Sequence, residues 1–172
     1  MSPQRQRGSM FKINILHVGT LKDDYFKAAA DEYIKRCGAF AKLALAPLPE
    51  AKLPPEPNPA QAAAALREEG AAILRRLAQC PPRSLTVALC VEGEQPDSLT
   101  FARMLREAAD GGAPEADFVI GGPLGLSDEV KAACGRRISI SRLTLPHRLA
   151  QVVLLEQIYR ALSINAGRGY HR

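Results

Sequence analysis

The stretch Ser84-Leu85-Thr86-Val87-Ala88-Leu89-Cys90-Val91 constrains this chain more than any other. It is short, continuous and apolar, without the alternation of a strand that shows one face to water. Such a run suits a strand covered on both faces, and sheets of such strands are parallel, with helices packed on either side. Strand candidates recur at 11–18, 42–48, 117–120 and 137–141. Between them lie helical patterns. Residues 22–37 place Tyr25, Phe26, Ala29, Tyr33 and Ile34 near helical spacing and stop at Gly38. Residues 59–79 start at Pro59, a tolerated first-turn position. Asp97 can cap a helix to about residue 109, and Ser127 one to about 134. The last helix covers 146–165. Strand and helix alternate throughout, so the fold class is α/β, a mostly parallel sheet flanked by helices. Residues 47–59 hold six prolines and read as a loop.

The chain of 172 residues suits one domain, with residues 1–9 as an extension and 10–172 as the domain proper. The start is polar and basic, unlike a secretory signal, and no apolar run reaches the roughly 18 residues of a membrane span. Cys37, Cys80, Cys90 and Cys134 form no CxxC pair, which removes the main support for a zinc site or a thioredoxin-like motif. Uncharged buried thiols in a cytoplasmic protein, with no metal and no membrane, are the expectation. A net charge of +5 and a pI near 9.2 fit a polyanionic partner such as RNA, although many basic proteins bind none.

Ligands of parallel sheets bind beyond the carboxyl ends of the strands, here the loops after Val91, Ile120 and Ile140. After Ile120 comes Gly121-Gly122-Pro123-Leu124-Gly125. Its glycines permit close backbone approach and positive φ; a tight turn with no ligand is the plain alternative. It is neither a dinucleotide fingerprint nor a P-loop. The segment Ile140-Ser141-Arg142-Leu143-Thr144-Leu145-Pro146-His147 joins a strand to a helix through a proline, and its backbone groups could bond an adenine edge. His147 suits a cap or a packing role as well as a catalyst. Leu149, Val152, Val153, Leu155, Ile158, Tyr159 and Leu162 make the last helix apolar over a wide arc, to be buried in its own core or at an oligomer interface. Glu156 and Arg160, four apart, suit a surface ion pair. The tail Arg168-Gly169-Tyr170-His171-Arg172 could hold phosphate and stack on a base, or simply fray.

Taken together, Ile-Gly-Gly-Pro-x-Gly-Leu (120–126), Leu-Thr-Leu-Pro-His (143–147), Glu-Gln-Ile-Tyr-Arg-Ala (156–161) and terminal Tyr-His-Arg (170–172) resemble the RlmH-type ribosomal RNA large-subunit pseudouridine N3-methyltransferases of the SPOUT superfamily. Residues 15–22, Ile-Leu-His-Val-Gly-Thr-Leu-Lys, are similar too. The resemblance implies a SPOUT fold with a C-terminal trefoil knot and a homodimer joined through the last helices. It implies S-adenosylmethionine as methyl donor, held at Leu89, Gly121, Ile140, Ser141, Arg142, Leu143, Thr144 and Leu145. A side chain at Gly121 is then expected to fill the space the adenosine needs. The implied reaction is methylation of N3 of a pseudouridine in helix 69 of 23S rRNA in assembled ribosomes. His147 is the candidate base, and Tyr170, His171 and Arg172 of the dimer mate would contact the substrate. Position 124 departs from the pattern, with Leu where many relatives carry Glu. A SPOUT enzyme acting on another RNA such as tRNA, and a non-catalytic dimeric RNA-binding factor, are the rival readings.

Overall fold

The computed structural model describes residues 10–170. Its elements run β1 (Lys12–Val18), α1 (Asp24–Cys37), β2 (Lys42–Leu48), α2 (Pro59–Leu77), β3 (Leu85–Glu94), α3 (Ser98–Asp110), β4 (Glu115–Ile120), α4 (Asp128–Ala133), β5 (Arg136–Ile138) and α5 (His147–Asn165). All strand pairs are parallel, in the order β2-β1-β4-β3-β5.

Period-two alternation divides the core. Ile13, Ile15, Val87, Phe118 and Ile120 point to one face, where α1, α3 and α5 supply Ala30, Phe101, Leu105, Leu154, Leu155 and Ile158. Leu16, Val18, Ala88 and Val119 point to the other, covered by Ile73 of α2 and by Val130 and Cys134 at α4. The strand buried at every position is β4, at the centre of the order. Only Val87 and Ala88 of β3 are fully buried, because its distal half runs past its neighbours and leaves Val91 61% exposed. The 84–91 run thus pointed to the right sheet while overstating its own cover.

Local signals set the helix starts. Asp97 accepts from the Thr100 N–H at 2.7 Å and Ser127 from the Val130 N–H at 3.3 Å, as expected. Asn58 and Gln61 add a reciprocal capping box to α2 that the proline-rich context hides in sequence. The last strand is shorter than the 137–141 pattern. The chain leaves the sheet at Ser139, whose hydroxyl donates to the Ser141 carbonyl at 2.8 Å and starts a turn.

The wide apolar arc of α5 is used in part within the chain: Leu155 and Ile158 are buried, and Leu149, Val152, Val153, Tyr159 and Leu162 are half-buried. The helix packs between α1 and α3, with Leu154, Leu155, Ile158 and Ala161 essentially dry. The Glu156–Arg160 pair forms as an i, i+4 bridge at 2.5 Å.

Phe118 sits at the centre of this core, 5.9 Å from the Phe101 ring. Phe118→Ala should cost roughly 3–5 kcal/mol in urea unfolding. A loss below about 1 kcal/mol would mean that this position tolerates a cavity.

Candidate active site

The carboxyl ends of β3, β4 and β5 surround a cleft of about 720 Å³. Residues 89–92, 120–126, 139–141 and 143–147 line it, with Lys131 and Ala150. These are the three loops that parallel-sheet topology singles out.

The first wall is the glycine turn. Gly122 and Gly125 bridge, with the Gly125 N–H donating to the Gly122 carbonyl at 3.0 Å. Gly125 holds φ at +77°, where a side chain is strained. At Gly121 a Cβ would collide with the Gly125 carbonyl. A side chain there therefore breaks the turn itself rather than filling the cleft, which corrects the expectation for Gly121.

The second wall is the 139–146 loop. The Ser141 hydroxyl accepts from the Leu143 N–H at 3.0 Å and shapes the turn. Pro146 stands at the N-cap of α5, not inside it. Leu89, Gly121, Ile140, Ser141, Leu143, Thr144 and Leu145 all line the cleft. Arg142 does not: it is exposed and outside the lining, so it departs from the expected cofactor set. The Ser141–Leu143 turn carries it past the wall. Leu143, 76% exposed, and Leu124, 36% exposed, stand as bare apolar side chains at the rim.

Charge at the mouth is paired. Lys131 and Glu92 bond at 2.5 Å, which holds Glu92 below the usual carboxylate range and Lys131 above its own. His147 lines the cleft with its pKa lowered by burial and by Arg148, against an opposing pull from Glu50. Behind it lies His17, only 5% exposed, with its Nε2 unpartnered and its pKa likewise lowered by burial. His17 stood out in sequence only as part of the 15–22 segment, and Glu50 not at all; a histidine between Leu16 and Val18 at the end of a strand was the available signal.

Tyr170 is not at the cleft of its own chain. It stacks edge-on against Tyr159 at 4.7 Å, beneath the Arg160 guanidinium. His147 opens α5 and Tyr159 lies 12 residues further on, so this cluster sits roughly 18 Å along the helix from His147. His171 and Arg172 lie outside the described residues. Cys37, Cys80, Cys90 and Cys134 are free thiols among the described residues, and burial pushes Cys37 up to about 12 and Cys80 and Cys134 to about 11. Cys80, Glu115 and Asp117 bring three metal-ligand atoms within 4.8 Å of one another. Asn14 already donates to Asp117 and Arg76 to Cys80. None of the three lines the cleft.

The cleft has the volume and the largely apolar wall of a small-ligand site. Residues 11–171 match the family model described as "Predicted SPOUT methyltransferase". The chain belongs to the SPOUT methyltransferase family. It is 41% identical over 160 residues to the ribosomal RNA large subunit methyltransferase H of Ligilactobacillus salivarius, covering 93% of this chain and 99% of that one. The protein of the same name from Oenococcus oeni is 40% identical, covering 95% of this chain and all of the relative. Among solved structures, a probable methyltransferase from Bordetella pertussis superposes with a TM-score of 0.54 at 20% identity, over 88% of this chain and 95% of that one, and shares the fold.

Because the Gly121 Cβ vector meets backbone, Gly121→Val should destabilise the protein by about 1–3 kcal/mol in thermal or urea melts. Leu124→Glu, at the exposed rim, should leave stability within about 0.5 kcal/mol. Equal melts for wild type and Gly121→Val would show that the turn opens freely.

Proposed function

We propose that this SPOUT family member transfers a methyl group from S-adenosylmethionine to N3 of a pseudouridine in helix 69 of 23S rRNA, in assembled ribosomes in the cytoplasm. The observation that supports the reading most is the single cleft built jointly by the glycine turn and the Leu-Thr-Leu-Pro-His loop. The names of the full-length relatives favour ribosomal RNA over tRNA as substrate. Family membership supports a knotted C-terminal half, in which β5 lies close beside β3: the Ser139 N–H bonds the Glu94 carbonyl at 2.8 Å, and any Cβ on Gly93 would collide with the Ile138 backbone.

When bound, the cofactor supplies an electrophilic methyl carbon on a sulfonium. The chain's own residues then have three tasks. Leu89, Gly121, Ile140, Ser141, Leu143, Thr144 and Leu145 hold and orient the donor in the cleft. His147, held neutral by burial, accepts the proton from the base nitrogen at Nδ1 or Nε2. Arg142, exposed beside the cleft, faces the phosphates of the RNA.

A site that also uses Tyr170, His171 and Arg172 needs a second chain, because within one chain Tyr170 packs on Tyr159 and Arg160, well along α5 from His147. The proposed homodimer supplies it. Leu143 and Leu124 at the rim offer apolar surface toward that partner or the RNA.

Labelled S-adenosylmethionine should mark one helix 69 pseudouridine in ribosomes that lack the modification, and neither free 23S rRNA nor tRNA. Label on tRNA would move the reaction to another RNA, and no label anywhere would leave a binding factor. The pH profile tests the base. With its pKa lowered, His147 stays neutral at pH 7 and below its ordinary 6.5, so the rate should fall only as pH drops through that lowered value. His147→Asn should lower the rate by about 10²–10⁴-fold and remove that acid limb. An unchanged limb would assign the proton to another group.

A further inference from the structure

The glycine turn of the site and the loop that carries Ala51 meet on one buried carboxylate. Glu69, in the middle of α2, is 3% exposed. Its Oε1 accepts the Ala51 N–H at 3.0 Å, and its Oε2 is buried with no hydrogen-bond partner among the described residues. Facing it is the glycine turn: a methyl at Gly122 would lie 3.1 Å from Oε2 and 3.2 Å from Val18 Cγ1. The carboxylate thus occupies the space beside Gly122 that a side chain would need, and it is not part of the cleft wall. The next residue continues the seat. A methyl at Gly70 would come within 2.8 Å of the Ser127 hydroxyl, which caps α4. Glu69 and Gly70 therefore seat both the turn and the start of the helix that follows it.

The contact also reaches the candidate base. Ala51 follows Glu50, whose carboxylate lies against Gly19, where a methyl would meet Oε2 at 2.8 Å. Glu50 is the group that opposes the lowering of the His147 pKa. Fixing Ala51 fixes the backbone that carries Glu50.

We infer that Glu69 is a positioning residue for the cleft. It holds the glycine turn and, through Ala51, the Glu50 carboxylate that acts on His147. The inference rests on the cofactor reading of the cleft. A buried acid is a costly means of filling space, since an apolar side chain of similar size avoids the desolvation. Burial does raise the Glu69 pKa, aided by Glu50 and Glu68 and opposed by the Ala51 N–H. What an apolar side chain lacks is an acceptor for Ala51 and a polar oxygen against the turn.

The test titrates S-adenosylmethionine calorimetrically into wild type and the Glu69→Gln, Glu69→Asp and Glu69→Leu variants, with backbone hydrogen exchange followed at residues 50–52 and 121–126. Glu69→Gln keeps an acceptor at the same reach and should bind within about threefold of wild type. Glu69→Asp withdraws the carboxylate by one methylene and Glu69→Leu removes it. Both should weaken binding about tenfold or more and speed exchange in both loops, with folded melts. Wild-type affinity and exchange in folded Asp and Leu variants would overturn the inference. Wild type that takes no cofactor would overturn the cofactor reading instead, and the exchange rates would still decide whether Glu69 fixes the two loops.

Discussion

Everything at the cleft depends on the complete burial of β4. Flanked by β1 and β3 and covered on both faces by helices, it cannot shift register without moving a core side chain into the wrong layer. Its end therefore delivers Gly121 to a fixed place. The turn that follows is shaped by backbone contacts, through the Gly122–Gly125 bridge and a close approach at Gly121 that excludes any side chain. A rigid strand feeding a rigid turn gives the cleft one wall that needs no ligand to form. The 139–146 loop, shaped by Ser139 and Ser141 hydroxyls, gives the other.

The last helix has two separate roles. Its middle fills the core between α1 and α3, while the candidate residues His147 and Tyr170 sit at places roughly 18 Å apart along it, the latter folded back onto Tyr159. His147 at the start lies in the cleft, and Tyr170 beyond the end sits in an aromatic and cationic cluster with Tyr159 and Arg160. A rigid helix cannot fold back to join them. That geometry is why a reading that assigns both residues to one reaction requires a second chain.

Much of this was legible in the residues because the signals are local. Short apolar runs marked the strands, with Lys42–Leu48 found to the residue, and Asp97 and Ser127 announced helix starts through caps that depend only on near neighbours. The three site loops followed from parallel topology once the strands were placed. Arg142 falls outside the cleft lining because a contiguous motif says nothing about which side of a turn each side chain leaves. Gly121 was read as making room for a ligand, whereas the space it vacates belongs to the Gly125 carbonyl. Glu69 and His17 escaped because their importance comes from what tertiary packing sets beside them. A glutamate in an alanine-rich amphipathic helix looks like surface until the proline-rich loop closes over it.

The most direct test of the central claim is a crystal structure of the protein with S-adenosylhomocysteine. The account predicts the adenine edge against the backbone of residues 140–145, the ribose near Gly121, and the sulfur facing His147. Ligand elsewhere on the surface, or a cleft still vacant at saturating ligand, would contradict it.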